Sequence, residues 1–376
     1  MQAFLQNSNI VSALGFTTQQ NFDAVCRGEI AMQDYPVNGT IYCSSVINNQ
    51  LLDGEFSTQT KLNPKQFTRL EKMCMLSMRD VINSSNVDTQ NPKTLFIFST
   101  TKGNIDLLEG NQSEIPKDRI YLHETASLLS KHFSFSNKPV VVSNACISGL
   151  LAIIMAQRLI GTRQYENIVV TGADIVSTFT LSGFNCLSAL SNKPCKPFDK
   201  NRNGINLGEA AASILISNKK GEQSVEIVSA CTSNDANHIS GPSRTGEGLF
   251  ACLQEVLTNN PKPDFINAHG TATGYNDEME SIAFNRMSLQ QIPANSLKGY
   301  YGHTLGAAGV LESVFCSESL HQNKLIASIG YQEQGTSIPL NIIKHTETKT
   351  NTTCLKTASG FGGCNAAVLY KIVQSY

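Results

Sequence analysis

Residues 147–160, ISGLLAIIMAQRLI, constrain the fold more than any other stretch: they have the length of a helix, are apolar almost all round, and end at Gly161. A helix without a polar side has to be covered on every side, so this one is central. Short runs that read as buried strands flank it, at 140–143 and 168–171, with another upstream at 94–100 (TLFIFST). Strands alternating with long apolar helices predict mixed α/β layers. Beyond 211–217 (AASILIS) the chain turns polar over 218–224 (NKKGEQS), where the boundary between two halves, 1–221 and 222–376, is expected. The second half repeats the theme. It has strands near 225–229, 265–268 and 366–372, and helices near 248–257, from about Asp277 and from about Gly306. Each half places one chemically capable residue just ahead of a small-residue helix, Cys146 in the first and His303 in the second, which reads as an internal duplication.

Length and charge narrow the function classes. A chain of 376 residues with 41% hydrophobic and 16% charged residues can bury a large core and is not a disordered tract. A net charge of -1 offers no basic excess for nucleic acid, so none is expected as a partner. No apolar run reaches membrane-spanning length, and residues 1–20 lack a charged segment followed by an apolar one, so a soluble, cytoplasmic protein is expected. The eleven cysteines are scattered singly without a C-x-x-C pair, as in a reduced inventory rather than a disulfide framework.

Four segments could carry chemistry. Cys146, in VVVSNACISGLLAI, stands at a turn between a strand and the central helix, with Gly149 allowing close approach. The helix start aims free amides and a positive dipole end at the sulfur, which favours thiolate and makes the Cys146 N–H an oxyanion donor. His269 leaves an apolar strand into a loop of small residues, NAHGTATG, where it can reach a ligand. His303 is set among glycines in SLKGYYGHTLGAAG, with Lys298 five residues before it, and Gly306, Ala307 and Gly309 call for tight packing of the helix they open. Neither nucleotide-binding glycine pattern is present there. The glycine-rich turn ASGFGGCN could turn its amides toward Cys146. Two other readings use the same residues. Zinc on Cys146, His269 and His303 would need ligands from distant loops and would quench the nucleophile, so no metal is expected. A Cys-His-Asp/Asn hydrolase leaves the second histidine without a task.

Taken together, NACISG, PFDKNRNGINLGEAA, AHGTATG, KGYYGHTLGAAG and GFGGCN resemble the motifs of β-ketoacyl-[acyl-carrier-protein] synthases of the elongating, Cys-His-His type, in the thiolase-like superfamily, from about Ile10 to the C-terminus. The resemblance implies an α/β thiolase-like fold, two duplicated halves in a layered α-β-α-β-α unit. It implies an acyl chain held on Cys146 and condensed, with loss of CO₂, with a malonyl unit whose carbonyl is held by His269 and His303. An acyl transferase or hydrolase, or the chain-length partner subunit of a ketosynthase pair, are the alternatives. Lys298 and Glu312 match a lysine and its buried acidic partner that orient the histidines. Thr271 and Thr273 match contacts of the phosphopantetheine arm, Phe361 lines the same wall, and the second oxyanion amide falls on Ser359. No cofactor is implied beyond the carrier's phosphopantetheine. Partners would be an acyl carrier protein, docked on Lys61, Lys65 and Arg69 along one helical stretch, and a second ketosynthase chain, identical or chain-length-determining. Asp199, Arg202 and Glu209 are expected as buried ion pairs. Two departures are read from the resemblance: Ser359 in place of a gating phenylalanine, and loss of a first strand. The wording GYYGHTLGAAG is similar to ketosynthases of aryl polyenes and other type II polyketides.

Overall fold

The computed structural model describes residues 1–110, 115–221 and 223–374. The first half contributes five strands to the main sheet: β1 (Phe4–Ser12), β2 (Thr94–Ser99), β3 (Val140–Val142), β4 (Asn167–Asp174) and β5 (Ala210–Ser217). Five follow in the second half: β6 (Gln223–Asn234), β7 (Phe265–Asn267), β8 (Ala294–Asn295), β9 (Thr353–Gly360) and β10 (Cys364–Gln374). Their order across the sheet is β8-β7-β9-β10-β6-β1-β5-β4-β2-β3. Counted outward from the middle, each half runs first, fifth, fourth, second, third. In each half the two inner pairings are antiparallel and the two outer ones parallel. The two halves therefore share one topology. Five main helices accompany them: α1 (Arg69–Ser85), α2 (Ser148–Gly161), α3 (Glu247–Leu257), α4 (Gly274–Arg286) and α5 (Ala308–His321).

Alternation along the strands builds the layers. On β2, Leu95 and Ile97 face the central core while Phe96 and Phe98 face an outer one. On β10, Ala366, Val368 and Tyr370 point inward and Ala367 and Leu369 outward. The central core also holds α2 and α5, the first outer core α1, and the second α3 and α4, which makes the stack α-β-α-β-α. α1 starts on a capping box in which Thr68 and Glu71 satisfy each other's backbone amides.

The central helices meet backbone to backbone. A methyl group on Gly309 would lie 2.1 Å from the Leu150 amide nitrogen, and one on Gly149 2.8 Å from the Gly306 carbonyl oxygen. Gly309→Ala is therefore expected to cost about 3 kcal/mol or more by forcing the helices apart, seen as lost soluble protein or a lower Tm. An alanine variant that melts with the wild type would show that the helices can separate freely.

A first strand is present, contrary to the sequence expectation. β1 lies mid-sheet, paired with β5 and, through Phe4 and Leu5, with β6. Its polar stretch Gln6–Ser8 disguises it, because the register shifts between Leu5 and Ser8 and leaves those residues half-exposed. Among the described residues no helix is long and apolar enough to cross a membrane.

Candidate active site

Cys146 leaves β3 through a turn in which Ala145 has φ 43°, a conformation that is sparsely populated for a side-chain-bearing residue. The Ser148 hydroxyl holds that turn, accepting from Asn144 N at 2.8 Å and donating to Ala145 O at 2.6 Å. The topologically matching connection, from β8 to α5, carries Lys298 and His303. Gly302, at φ 69°, turns the chain so that His303 N donates to Asn206 O at 2.7 Å and Gly208 N to His303 O at 3.0 Å. His269 follows β7. Its amide and that of Gly270 donate to the two oxygens of Glu280 at 2.8 and 2.7 Å, while Thr271 and Ala272 donate to Asp277. Glu280 and Asp277, both buried on α4, thus shape the loop from beneath.

These connections bring three distant side chains together. The Cys146 sulfur and a ring nitrogen of each of His269 and His303 lie within 4.8 Å of one another, and the two imidazoles meet edge to face at 5.2 Å. All three residues are buried, and they line a cavity of about 760 Å³ together with Thr271, Thr273 and Phe361. Among the described residues neither ring nitrogen of His303 has a hydrogen-bond partner, nor has His269 Nδ1. Burial pushes both imidazoles well below their ordinary range, and Lys298 and Lys356 push the same way. They are therefore neutral at physiological pH, each with one N–H to donate.

Beneath them Glu312 bridges two ammonium groups, Lys298 at 2.8 Å and Lys356 at 2.7 Å. Burial raises its carboxyl, but the two lysines outweigh that and hold it below its ordinary value. Sequence reasoning paired Lys298 with Glu312 and missed Lys356. The available signal was a lysine on the inward-facing positions of an otherwise apolar strand. Asp174, at the end of β4, was also missed. It accepts from Thr100, Thr101, Lys102 and Gly306, tying the start of α5 to the first half.

Several expectations are corrected. Burial, with Cys364 nearby, pushes the Cys146 thiol up to about 12 against the pull of Lys298 and the Phe361 amide, so the resting group is a thiol rather than a thiolate. Alkylation of Cys146 by iodoacetamide, followed by peptide mapping, should accordingly rise about tenfold per pH unit between pH 7 and 9; a plateau below pH 8 would contradict this. Ser359 is held inside the β9–β10 ladder opposite Asn365, to which its hydroxyl is also bonded at 2.8 Å, whereas Phe361 lies just past the strand in the turn. The Phe361 ring borders the cavity, stacked on Phe184 at 5.5 Å.

Lys61, Lys65 and Arg69 do not share a helix. Lys61 caps Asn49–Thr60, Lys65 lies in the short turn Pro64–Gln66, and Arg69 begins α1. Arg69 points inward to Glu209, with Nε 2.9 Å from both carboxylate oxygens, which leaves only Lys61 and Lys65 exposed. Of the three residues expected in buried ion pairs, Glu209 pairs with Arg69 and Arg202 approaches Asp277 at 3.9 Å, whereas Asp199 accepts backbone amides.

Residues 34–221 match the model of the beta-ketoacyl synthase N-terminal domain and residues 224–332 that of its C-terminal domain. A putative mitochondrial 3-oxoacyl-[acyl-carrier-protein] synthase of Schizosaccharomyces pombe is 29% identical over 73% of this chain and 73% of its own length. The tetracenomycin polyketide synthase ketoacyl synthase alpha subunit of Streptomyces glaucescens is 30% identical over 61% of this chain, which spans 59% of that relative. Among solved structures, a ketosynthase in complex with its chain length factor, from Xenorhabdus doucetiae, superposes with a TM-score of 0.87 at 22% identity, covering 99% of this chain and 98% of that one. A beta-ketoacyl synthase from Burkholderia phymatum gives 0.86 at 21% identity, over 99% and 100% of the two chains. With both domain models matched in order along one thiolase-like fold, this chain belongs to the beta-ketoacyl synthase family.

Proposed function

We propose that the chain condenses an acyl thioester with a malonyl-carrier thioester, releasing CO₂ and a 3-oxoacyl thioester. The observation that carries this reading is one thiol and two neutral imidazoles within 4.8 Å, at the wall of a cavity large enough for a thioester arm. Residues 1–221 bring Cys146 to this site and residues 222–376 bring His269 and His303. Cys146 attacks the acyl carbonyl; its sulfur gains the acyl group and its proton leaves with the carrier's phosphopantetheine thiol. The malonyl carbonyl then takes hydrogen bonds from His269 and His303. Breaking the carboxylate's C–C bond frees CO₂ and leaves an enolate whose oxygen those donors stabilise. The enolate carbon attacks the acyl-Cys146 carbonyl, the oxyanion rests on the amides of Cys146 and Ser359, and collapse expels the Cys146 sulfur, which takes up a proton from solvent. Thr271 and Thr273, their hydroxyls 2.8 Å apart at the cavity wall, hold the pantetheine arm. Lys298 and Glu312 fix the charge beneath the histidines. The carrier is acidic and meets Lys61 and Lys65, and the second subunit is a ketosynthase-type chain, identical or chain-length-determining.

The test supplies acyl-carrier protein and then malonyl-carrier protein, and measures acyl mass on the chain, CO₂ and the carrier-bound product. Equal amounts of CO₂ and 3-oxoacyl product are expected, unchanged by a chelator. Acyl mass that turns over to free acid without CO₂ would assign a hydrolase, and a chelator-sensitive reaction would assign a metal.

A further inference from the structure

Alternation along β9 points Cys354, Lys356 and Ala358 toward the central layer, and the two neighbours lie in the apolar core. Lys356 stands between them with no exposed surface. Its ammonium lies 2.7 Å from Glu312 Oε2 and donates to Thr357 O at 2.6 Å and to Asn267 O at 3.4 Å, two residues before His269. A lysine buried in a core strand is costly to keep, and a packed hydrophobe would serve stability as well or better. None of the steps set out above uses it.

We propose that Lys356 is a positioning residue of the condensation site: it locks the second oxygen of Glu312, so that the carboxylate holds Lys298 in one place beneath His269 and His303. This deepens the proposed condensation and rests on that reading. The charged and titratable groups around Lys356 are Lys298, Glu312, Glu280, His269, His303 and the Cys354 thiol. Lys298 and Lys356 balance Glu312 and Glu280. Without Lys356 the cluster carries one net negative charge, which favours imidazolium over imidazole and opposes negative charge on the enolate oxygen. Glu312 Oε2, which has no other ion-pair partner among the described residues, can then turn away.

Two variants separate this from a packing role. Lys356→Met keeps the length of the side chain, and Lys356→Gln keeps a donor for the Thr357 carbonyl; both remove the charge. In each, Cys146 is expected to acylate within about threefold of the wild type, and KM for malonyl-carrier protein to stay within about twofold. The kcat of CO₂ release should fall at least about tenfold, or about 1.4 kcal/mol, and its acid limb should move to higher pH than in the wild type. NMR titration of the histidine rings, which needs no turnover, should show an imidazole that protonates at higher pH in the variants than in the wild type. An unchanged kcat and pH profile would overturn the proposal. So would two variants that fail to fold, or that lose acylation and CO₂ release in step with Tm, since Lys356 would then serve only the core. If the wild type itself released no CO₂, the condensing reading would fall, while the ring titration would still decide whether Lys356 acts on the histidines.

Discussion

Cys146→Ala is expected to gain no acyl mass from an acyl-carrier thioester and to lose condensation by at least about 10³-fold. The side chain is small and nearly buried, so its loss leaves the fold and the cavity in place. What disappears is the sulfur that, alone among the described residues, lies with both imidazoles, at the start of α2. Release of CO₂ from malonyl-carrier protein should survive, because its donors are His269 and His303 rather than the thiol. Intact mass after incubation with acyl-carrier protein, read beside CO₂, checks both statements. Acyl mass on the alanine variant would move the nucleophile elsewhere. Cys364 would be the first to test, since it is close enough to influence the Cys146 thiol and is itself buried against the same turn.

The residues proposed to do the chemistry were legible because each interrupts a pattern. Cys146 stands where a strand gives way to an all-apolar helix, and His269 and His303 stand where apolar segments end among small residues. The chain needs small neighbours there so that ligand and backbone can approach, and small neighbours show in a sequence. What stayed hidden depends on contacts that no local pattern records. Arg69 looks like a surface charge until Glu209, 140 residues away, is seen beside it. β1 looks polar because a register shift and the bonds of buried Asn9 to Phe16 and Thr18 excuse its polar residues. The pairing of Lys356 was hidden for a further reason: its partner Glu312 lies on a helix in another layer, and only the fold brings them to 2.7 Å.

His269→Ala and His303→Ala are each expected to lower CO₂ release from malonyl-carrier protein by about 10² to 10³-fold, the usual loss on removing one donor to a developing oxyanion. Acylation of Cys146 should continue in both. The double variant should fall by less than the product of the two effects, because the rings share one oxygen and one of them alone cannot hold it at the productive angle. The pH dependence follows from the same geometry. Burial first, and then the neighbouring lysines, push both imidazoles well below the ordinary 6.5, so the neutral, donating form persists as the solution is acidified past that value. Wild-type CO₂ release should therefore run level from pH 8 down to pH 6. A half-maximal point near 6.5 would mean that one ring titrates as if exposed, and a neutral pair of donors could not then be the device that carries the reaction.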